Sequence, residues 1–298
     1  MCIVALKHFP NTGWVGVKNR DRNYKPLIYI KQSIRKNIER IYLWDDITKY
    51  TEGMNEYGVC ILSAAVATKS DEKEGAKSRD DSDATFYSSD GKRIRTALFE
   101  KTPEKAIECL KKSQLPGTTI VFNAGVAYLI EAGFKSSGRD EEEYFFKCRH
   151  IDKSETAVRT NHGIWLSWLG YQPSDEDEEQ QMSRDSSESR LEQVRKDILT
   201  IKEPHKMLDC LSNADKENPQ MNPLRMDERK NSLRTTGQLM LVPSELTLYY
   251  RPIWCEILFN FGKLDSTKTK TYFQILSARG VISPDIDGEK IVEKVIKK

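Results

Sequence analysis

The sequence predicts an α+β fold in which two mainly antiparallel sheets are covered by helices. Three observations carry this expectation. The first third of the chain is a succession of short strand-like runs, segments of helical period follow, and strand-like runs then return twice between helices. With 298 residues, 38% of them hydrophobic, the chain can bury a sizeable core, and residues 2–298 are taken as a single domain.

Residues 2–7, 13–18, 28–32, 38–44 and 58–66 read as strands separated by turn residues such as Pro10, Asn11, Thr12 and Gly13, an antiparallel meander. From 68 to 91 the composition shifts to Lys, Asp, Glu and Ser, which cannot bury enough apolar surface to fold alone, so a charged insertion is expected near 68–92. A helix over 93–101 follows. The start of the next is written into the chain: Thr102 as N-cap, Pro103 at the first helical position, and Ala106, Ile107, Cys109 and Leu110 as the apolar stripe. Strands are expected at 128–134, 144–151 and 156–161. The acidic, Ser-rich stretch 174–188 reads as a second charged insertion, near 172–190. Helical periodicity runs from 189 to 201 through Leu191, Val194, Ile198 and Leu199, and 201–211 adds a short helix. After a polar connection over 213–234, strands at 237–242 and 246–251 close the sheets. Ile291, Val292, Val295 and Ile296 give the tail from 288 an amphipathic helical pattern.

Charge narrows the function classes. The 47 basic and 45 acidic residues leave a net charge of +2, no field to gather phosphates or anionic lipid, so neither nucleic acid nor a membrane surface is an expected partner. No run approaches the roughly 18 apolar residues of a membrane span, and no signal-peptide pattern opens the chain, so a cytoplasmic location is expected. The six cysteines are scattered, without a C-x-x-C pair or histidines at ligand spacing, which predicts neither a metal site nor a disulfide framework. Neither G-x-G-x-x-G nor G-x-x-x-x-G-K-[ST] occurs, and no cofactor is expected.

Chemistry points to Cys2. Removal of Met1 by aminopeptidase would place a thiol and an α-amine on one residue, and an amine with a pKa of about 7.7–8.0 can take the thiol proton directly or through water. One residue then serves as nucleophile and base. The turn at residues 16–26 follows a strand that a short hairpin joins to the first, which brings a cation and a carboxylate beside Cys2. Such a cation lowers a thiol pKa, and the carboxylate can orient the ammonium. In an extended segment Lys18 and Arg20 share one face, Asn19 and Asp21 the other.

An initial Met-Cys, an apolar strand and an Asn-x-Asp turn about twenty residues on resemble the N-terminal-nucleophile (Ntn) hydrolases, among them choloylglycine hydrolases, penicillin V acylases and acyltransferase-like cysteine amidases. Residues 18–22, Lys-Asn-Arg-Asp-Arg, are also similar to a segment of secernin-type dipeptidases, and Asn19-Arg20-Asp21 with Tyr24 and Pro26 to the NRDE proteins. Later segments agree in order: Gly-Met-Asn-Glu-Tyr-Gly-Val at 53–59, Tyr-Leu-Ile-Glu at 128–131, Thr160-Asn161-His162, and Thr235-Thr236-Gly237 before a closing strand. The resemblance implies a four-layer αββα sandwich, hydrolysis of a linear amide through a thioester on Cys2, and a small-molecule amide as partner, and it is compatible with a homo-oligomer. It further implies that Asn161 donates to the oxyanion, that Asp21 lies near the Cys2 amine, and that Lys18 or Arg20 stands beside the thiolate. A donor of the kind expected at Asn161 is typically worth about 3 to 4 kcal/mol.

Two features depart from the pattern. Where choloylglycine hydrolases carry a second oxyanion asparagine this chain has Ile-Leu-Ser-Ala-Ala at 61–65, so Ser63 or a backbone N–H is the candidate donor. A further arginine of those enzymes has three contenders here, Arg225, Arg229 and Arg234. An acyltransferase using the same acyl-enzyme and a non-catalytic binding protein of the same fold are the alternative readings.

Overall fold

The structure, a computed structural model, describes residues 2–64, 82–136, 142–215, 217–229, 232–260, 272–277, 280–284 and 291–292. The first sheet holds, in spatial order, β10 (Thr156–Arg159), β1 (Cys2–Phe9), β2 (Gly13–Arg22), β11 (Arg234–Val242), β12 (Thr247–Pro252), β14 (Tyr272–Ser277), β15 (Gly280–Pro284) and β16 (Ile291–Val292). The second runs β13 (Glu256–Asn260), β3 (Leu27–Arg35), β4 (Ile38–Asp45), β5 (Thr51–Asn55), β6 (Cys60–Ala64), β7 (Gly117–Phe122), β8 (Ala127–Ser136) and β9 (Glu142–His150). Pairing is antiparallel except for β12 with β14 and β13 with β3.

Side-chain alternation sorts the strands into layers. Cys2, Val4, Leu6, Trp14, Leu239 and Leu241 face Ile28, Ile30, Ile41, Leu62 and Phe122 across the gap between the sheets. Gly16 sits where the sheets come closest, and a Cβ there would lie 2.5 Å from Phe122 Cζ. The alternate residues Ile3, Ala5, Val15, Val17 and Met240 pack outward on Leu191, Val194 and Ile198 of helix α3 (Glu178–Thr200) and on a 3-10 helix, Pro204–Leu211. On the far side Ile61, Val121 and Ile130 meet Ile94 and Ala97 of α1 (Ser82–Ala97) and Ala106 and Leu110 of α2 (Pro103–Lys112). The expected αββα order is therefore the one observed.

Helix α2 begins as its sequence predicts: Thr102 Oγ1 accepts from Lys105 N at 3.4 Å and Pro103 follows. Such a cap is worth about 1 kcal/mol.

Helix α3 differs from expectation, since it starts at Glu178 rather than 189 and absorbs most of the acidic, Ser-rich stretch. Asp177 caps it by accepting from Gln180 N at 2.9 Å, and the i,i+4 pairs Gln181–Asp185 and Arg184–Glu188 run along the exposed face. The charges decorate a helix whose other face, Ser186, Ser187, Arg190, Leu191 and Val194, is buried. Likewise α1 reaches back to Ser82, so the end of the expected 68–92 insertion is helical, while 65–81 lies outside the described residues, as does the end of the strand expected over 58–66. The tail departs too: Ile291–Val292 pairs with β15 as a strand, the rest of the expected tail helix lying outside the described residues. Among the described residues no helix is long and apolar enough to cross a membrane.

Candidate functional site

Strand β2 carries Lys18, Asn19, Arg20 and Asp21, all buried, in the middle of a sheet. Its register against β1 sets Cys2 opposite Arg20. Alternation then sends Lys18, Arg20 and Arg22 into the space between the sheets with the Cys2 thiol, while Asn19 and Asp21 turn to the helical side. This is the division read from the sequence.

On the inner face Lys18 Nζ pairs with Glu52 and also donates to the Ser63 carbonyl. Arg20 bridges Glu52 and, at 3.5 Å, Asp45. Asp45 in turn accepts from Arg22 Nε at 3.1 Å and from Tyr24 Oη, and Arg22 Nη1 lies 3.8 Å from Cys2 Sγ. Three cations thus face two carboxylates, and ionisation of Cys2 brings the set to neutrality. Burial opposes the charge on Glu52 and Asp45, but their pKa values are held below the usual carboxylate range, by Arg20 and Lys18 for the first and by Arg22 and Arg20 for the second.

Burial would raise the Cys2 pKa as well. Lys18 above all, then the amino-terminal charge and Arg22, outweigh it and bring the thiol down from 9.0 to about 7, against an opposing push from Asp21. The other cysteines move the opposite way: burial drives Cys60 well up and, with Asp197 and Asp209, drives Cys210 up to about 12, and Cys109, Cys148 and Cys255 are raised too.

On the helical face Asn19 is structural, donating from Nδ2 to the carbonyls of Leu211 and Pro223. Asp21 Oδ1 accepts from Thr235 Oγ1 at 2.9 Å, and its Oδ2 meets Arg190 Nη1 at 3.1 Å and Arg225 Nε at 3.8 Å. Arg190 also reaches Asn161 Oδ1 at 3.4 Å, which in turn accepts from the Cys2 backbone N–H at 2.8 Å. That nitrogen becomes the α-amine once Met1 is removed. Arg190 therefore links, from helix α3, the Asp21 carboxylate and the Asn161 amide.

Asn161 is itself held from several sides. Its N–H donates to Ser187 Oγ, and its carbonyl packs against Gly170, where φ is +76° and a Cβ would stand 2.2 Å from that oxygen. The loop beyond it is gathered by Glu131, which accepts from the N–H groups of Ile164, Trp165 and Leu166 and pairs with Arg159. His162 Nδ1 lies 2.8 Å from Ser187 Oγ, and burial followed by Arg184 takes its pKa down to about 4, so it is a neutral, structural histidine near pH 7.

Cys2, Asp21, Asn161, Lys18 and Arg20 are thus brought together. Lys18 and Arg20 both lie on the thiol's face of the sheet. Lys18 lowers the thiol pKa most, but the guanidinium in contact with sulfur belongs to Arg22, two residues further along the same face. Of the three competing arginines, Arg225 is the buried one beside Asp21. The Ser63 hydroxyl is engaged with β7, donating to the Thr118 carbonyl and accepting from Thr119 Oγ1. Arg190 is not legible as a site residue in the sequence. Its one signal is an arginine on the apolar spacing 187, 190, 191, 194 of an otherwise charged helix. Among the described residues no cluster of three His, Cys, Asp or Glu side chains could hold a metal ion.

No protein-family model matches the sequence. No curated protein matches it either. Among solved structures the chain is similar to the mutant C2A conjugated bile acid hydrolase from Clostridium perfringens, with 12% sequence identity, a TM-score of 0.38, and coverage of 85% of this chain and 89% of that one.

Proposed function

We propose that the chain is a cysteine amide hydrolase whose nucleophile is Cys2, exposed as an N-terminal residue by removal of Met1. The observation that carries this reading is the pairing at one residue of a thiol in contact with Arg22 and a nitrogen hydrogen-bonded to Asn161. With Met1 gone the terminal charge moves onto Cys2 itself, closer to the sulfur, which favours the thiolate further.

The thiolate attacks the carbonyl carbon of a linear amide, and a C–S bond forms as the C=O electron pair moves onto oxygen. In this reading the side-chain amide of Asn161 and a backbone N–H donate to this oxyanion. Collapse breaks the C–N bond, and the α-ammonium gives its proton to the leaving nitrogen. The free amine then takes a proton from water as the hydroxide oxygen attacks the thioester, releasing the acid and restoring the thiol. Asp21, anchored by Arg190 and Thr235, holds the electrostatic position of the amine.

Intact mass and a screen of small amides test this. The recombinant protein should lack Met1, and turnover should disappear in Cys2→Ala. Retained methionine, or equal activity in both proteins, overturns the reading.

A further inference from the structure

On the helical face of the second sheet, turned away from the Cys2 thiol, cations collect with little to balance them. Strands β3 and β4 alternate so that Ile28, Ile30, Ile41 and Leu43 enter the core between the sheets, while Lys31, Arg40, Tyr42 and Trp44 turn to the other side. Lys31 Nζ stands over the Trp44 ring, and Lys49 Nζ lies 4.8 Å from the same ring centre. Arg95 reaches in from α1: its Nη1 donates to the Lys49 carbonyl at 2.9 Å and to Thr51 Oγ1 at 2.7 Å, and Thr51 is the residue that β5 sets opposite Trp44. Arg40 Nη1 in turn donates to the Arg95 carbonyl at 2.7 Å.

Among the described residues these four cations make one ion pair, Lys49 with Asp46 at 3.3 Å. The strain of the remainder is visible in their acidity. Burial, then Arg95 and Lys49, bring Lys31 down to about 8; burial, with Arg35 and Arg95, brings Arg40 down to about 10; and burial lowers Arg95. An aromatic ring returns only part of what a cation loses on leaving water. Lys31, Lys49 and Arg95 are nevertheless half-buried rather than sealed, so a solute can reach them.

We infer that this cluster is a binding site for a small multivalent oxyanion of the phosphate class, held between the ammonium groups of Lys31 and Lys49 and the N–H groups of Arg95 that the protein leaves unused. A tetrahedral dianion offers oxygens to two point charges and a guanidinium at once, whereas a carboxylate brings one charge to three cations. The net charge of +2 supplies no long-range field, so the anion is selected by contact rather than by steering. The site lies across the second sheet from Cys2 and stands or falls independently of it.

Inorganic phosphate is the probe, titrated into the full chain at constant ionic strength with chloride as the replacement ion. Two readouts apply: thermal unfolding, and acetylation of Lys31 by limiting acetic anhydride relative to the exposed Lys105, followed by mass spectrometry. Phosphate should stabilise the protein with a saturable dependence, and at about ten times the midpoint concentration Lys31 acetylation should slow about tenfold against Lys105. Arg95→Gln should raise the midpoint roughly tenfold, the loss of one charge-assisted contact, while Arg229→Gln, which removes an exposed charge elsewhere, should leave it in place. Adenosine monophosphate, titrated alongside, should bind more tightly than phosphate if the ligand is a phosphomonoester and less tightly if it is the free ion. Stabilisation no greater than with chloride, Lys31 acetylation that phosphate leaves unchanged, or equal protection in wild type and Arg95→Gln overturns the site. Should Arg95→Gln fail to fold, the protection of Lys31 in the wild type decides alone.

Discussion

Replacing Arg22 by glutamine removes the guanidinium that lies 3.8 Å from the Cys2 sulfur and leaves a shorter, neutral polar side chain in strand β2. A unit charge at about 4 Å is worth about 1 kcal/mol in water and about 4 kcal/mol at an effective permittivity near 20. The Arg22 side chain is 13% exposed and shares its charge with Asp45, so an intermediate value of about 1.5–3 kcal/mol is appropriate, equivalent to about one to two pH units. Starting from about 7, the thiol midpoint should move to about 8–9 in Arg22→Gln. The assay is the pH–rate profile of iodoacetamide alkylation at Cys2, followed by mass spectrometry. Because nucleophilicity rises with basicity, the high-pH plateau should also climb about threefold for each pH unit by which the midpoint rises. A midpoint within about 0.3 pH units of the wild type refutes the assignment of Arg22 as the thiolate's partner.

Three further outcomes follow from the same geometry. A thiol at about 7 when folded and 9.0 when unfolded stabilises the fold above pH 9 and loses that contribution as pH falls through 7; relative to Cys2→Ala, urea titrations should show a gain of up to about 2.7 kcal/mol between those values, and a flat difference contradicts it. His162, held neutral with a pKa of about 4 against an ordinary 6.5, should cost the protein up to about 3 kcal/mol as pH falls from 6.5 to 4, a dependence that His162→Gln should abolish. Asp21→Asn leaves Arg190 and Arg225 facing a neutral group and should cost about 3–5 kcal/mol in chemical denaturation, whereas Arg190→Gln should cost less because Arg225 still balances Asp21; the reverse order would show that Asp21 does not hold the two together.

Much of this arrangement can be read from residues alone, for identifiable reasons. Strands β1 to β4 announce themselves through short apolar runs broken by turns, and the alternation of Lys18, Asn19, Arg20 and Asp21 between faces follows from the period of a strand. Thr102-Pro103 fixes a helix start by local chemistry. Strand β7, Gly-Thr-Thr-Ile-Val-Phe, is buried throughout and so lacks the alternation that reveals half-exposed strands. Strand β13 pairs in parallel with β3, a partnership between residues more than two hundred positions apart that no local pattern encodes. Helix α3 is longer than its periodicity suggests because its first turns are charged for solvent and its cap, Asp177, is one acid among many. Arg190 is hidden for a related cause: a buried arginine is recognised by what it meets, and its partners Asp21 and Asn161 lie on other elements. Arg22 stands in the same segment as Lys18 and Arg20, and only the contact of its guanidinium with the sulfur singles it out.

The distance along the chain between the two halves of the Asp21 cluster has a consequence for how the protein matures. Asp21 and Thr235 are separated by 214 positions, and Cys2 and Asn161 by 159. At a synthesis rate of about 5–20 residues per second, roughly 10–40 s pass between the emergence of β2 and that of β11. Until Asn161 and β11 have emerged, Cys2 can pair only within the β1–β2 hairpin. Once β10 and β11 close on either side, Cys2 is 4% exposed and its nitrogen is bound to Asn161. The proposed chemistry therefore predicts that methionine is removed before those strands close, since the closed fold leaves Cys2 buried.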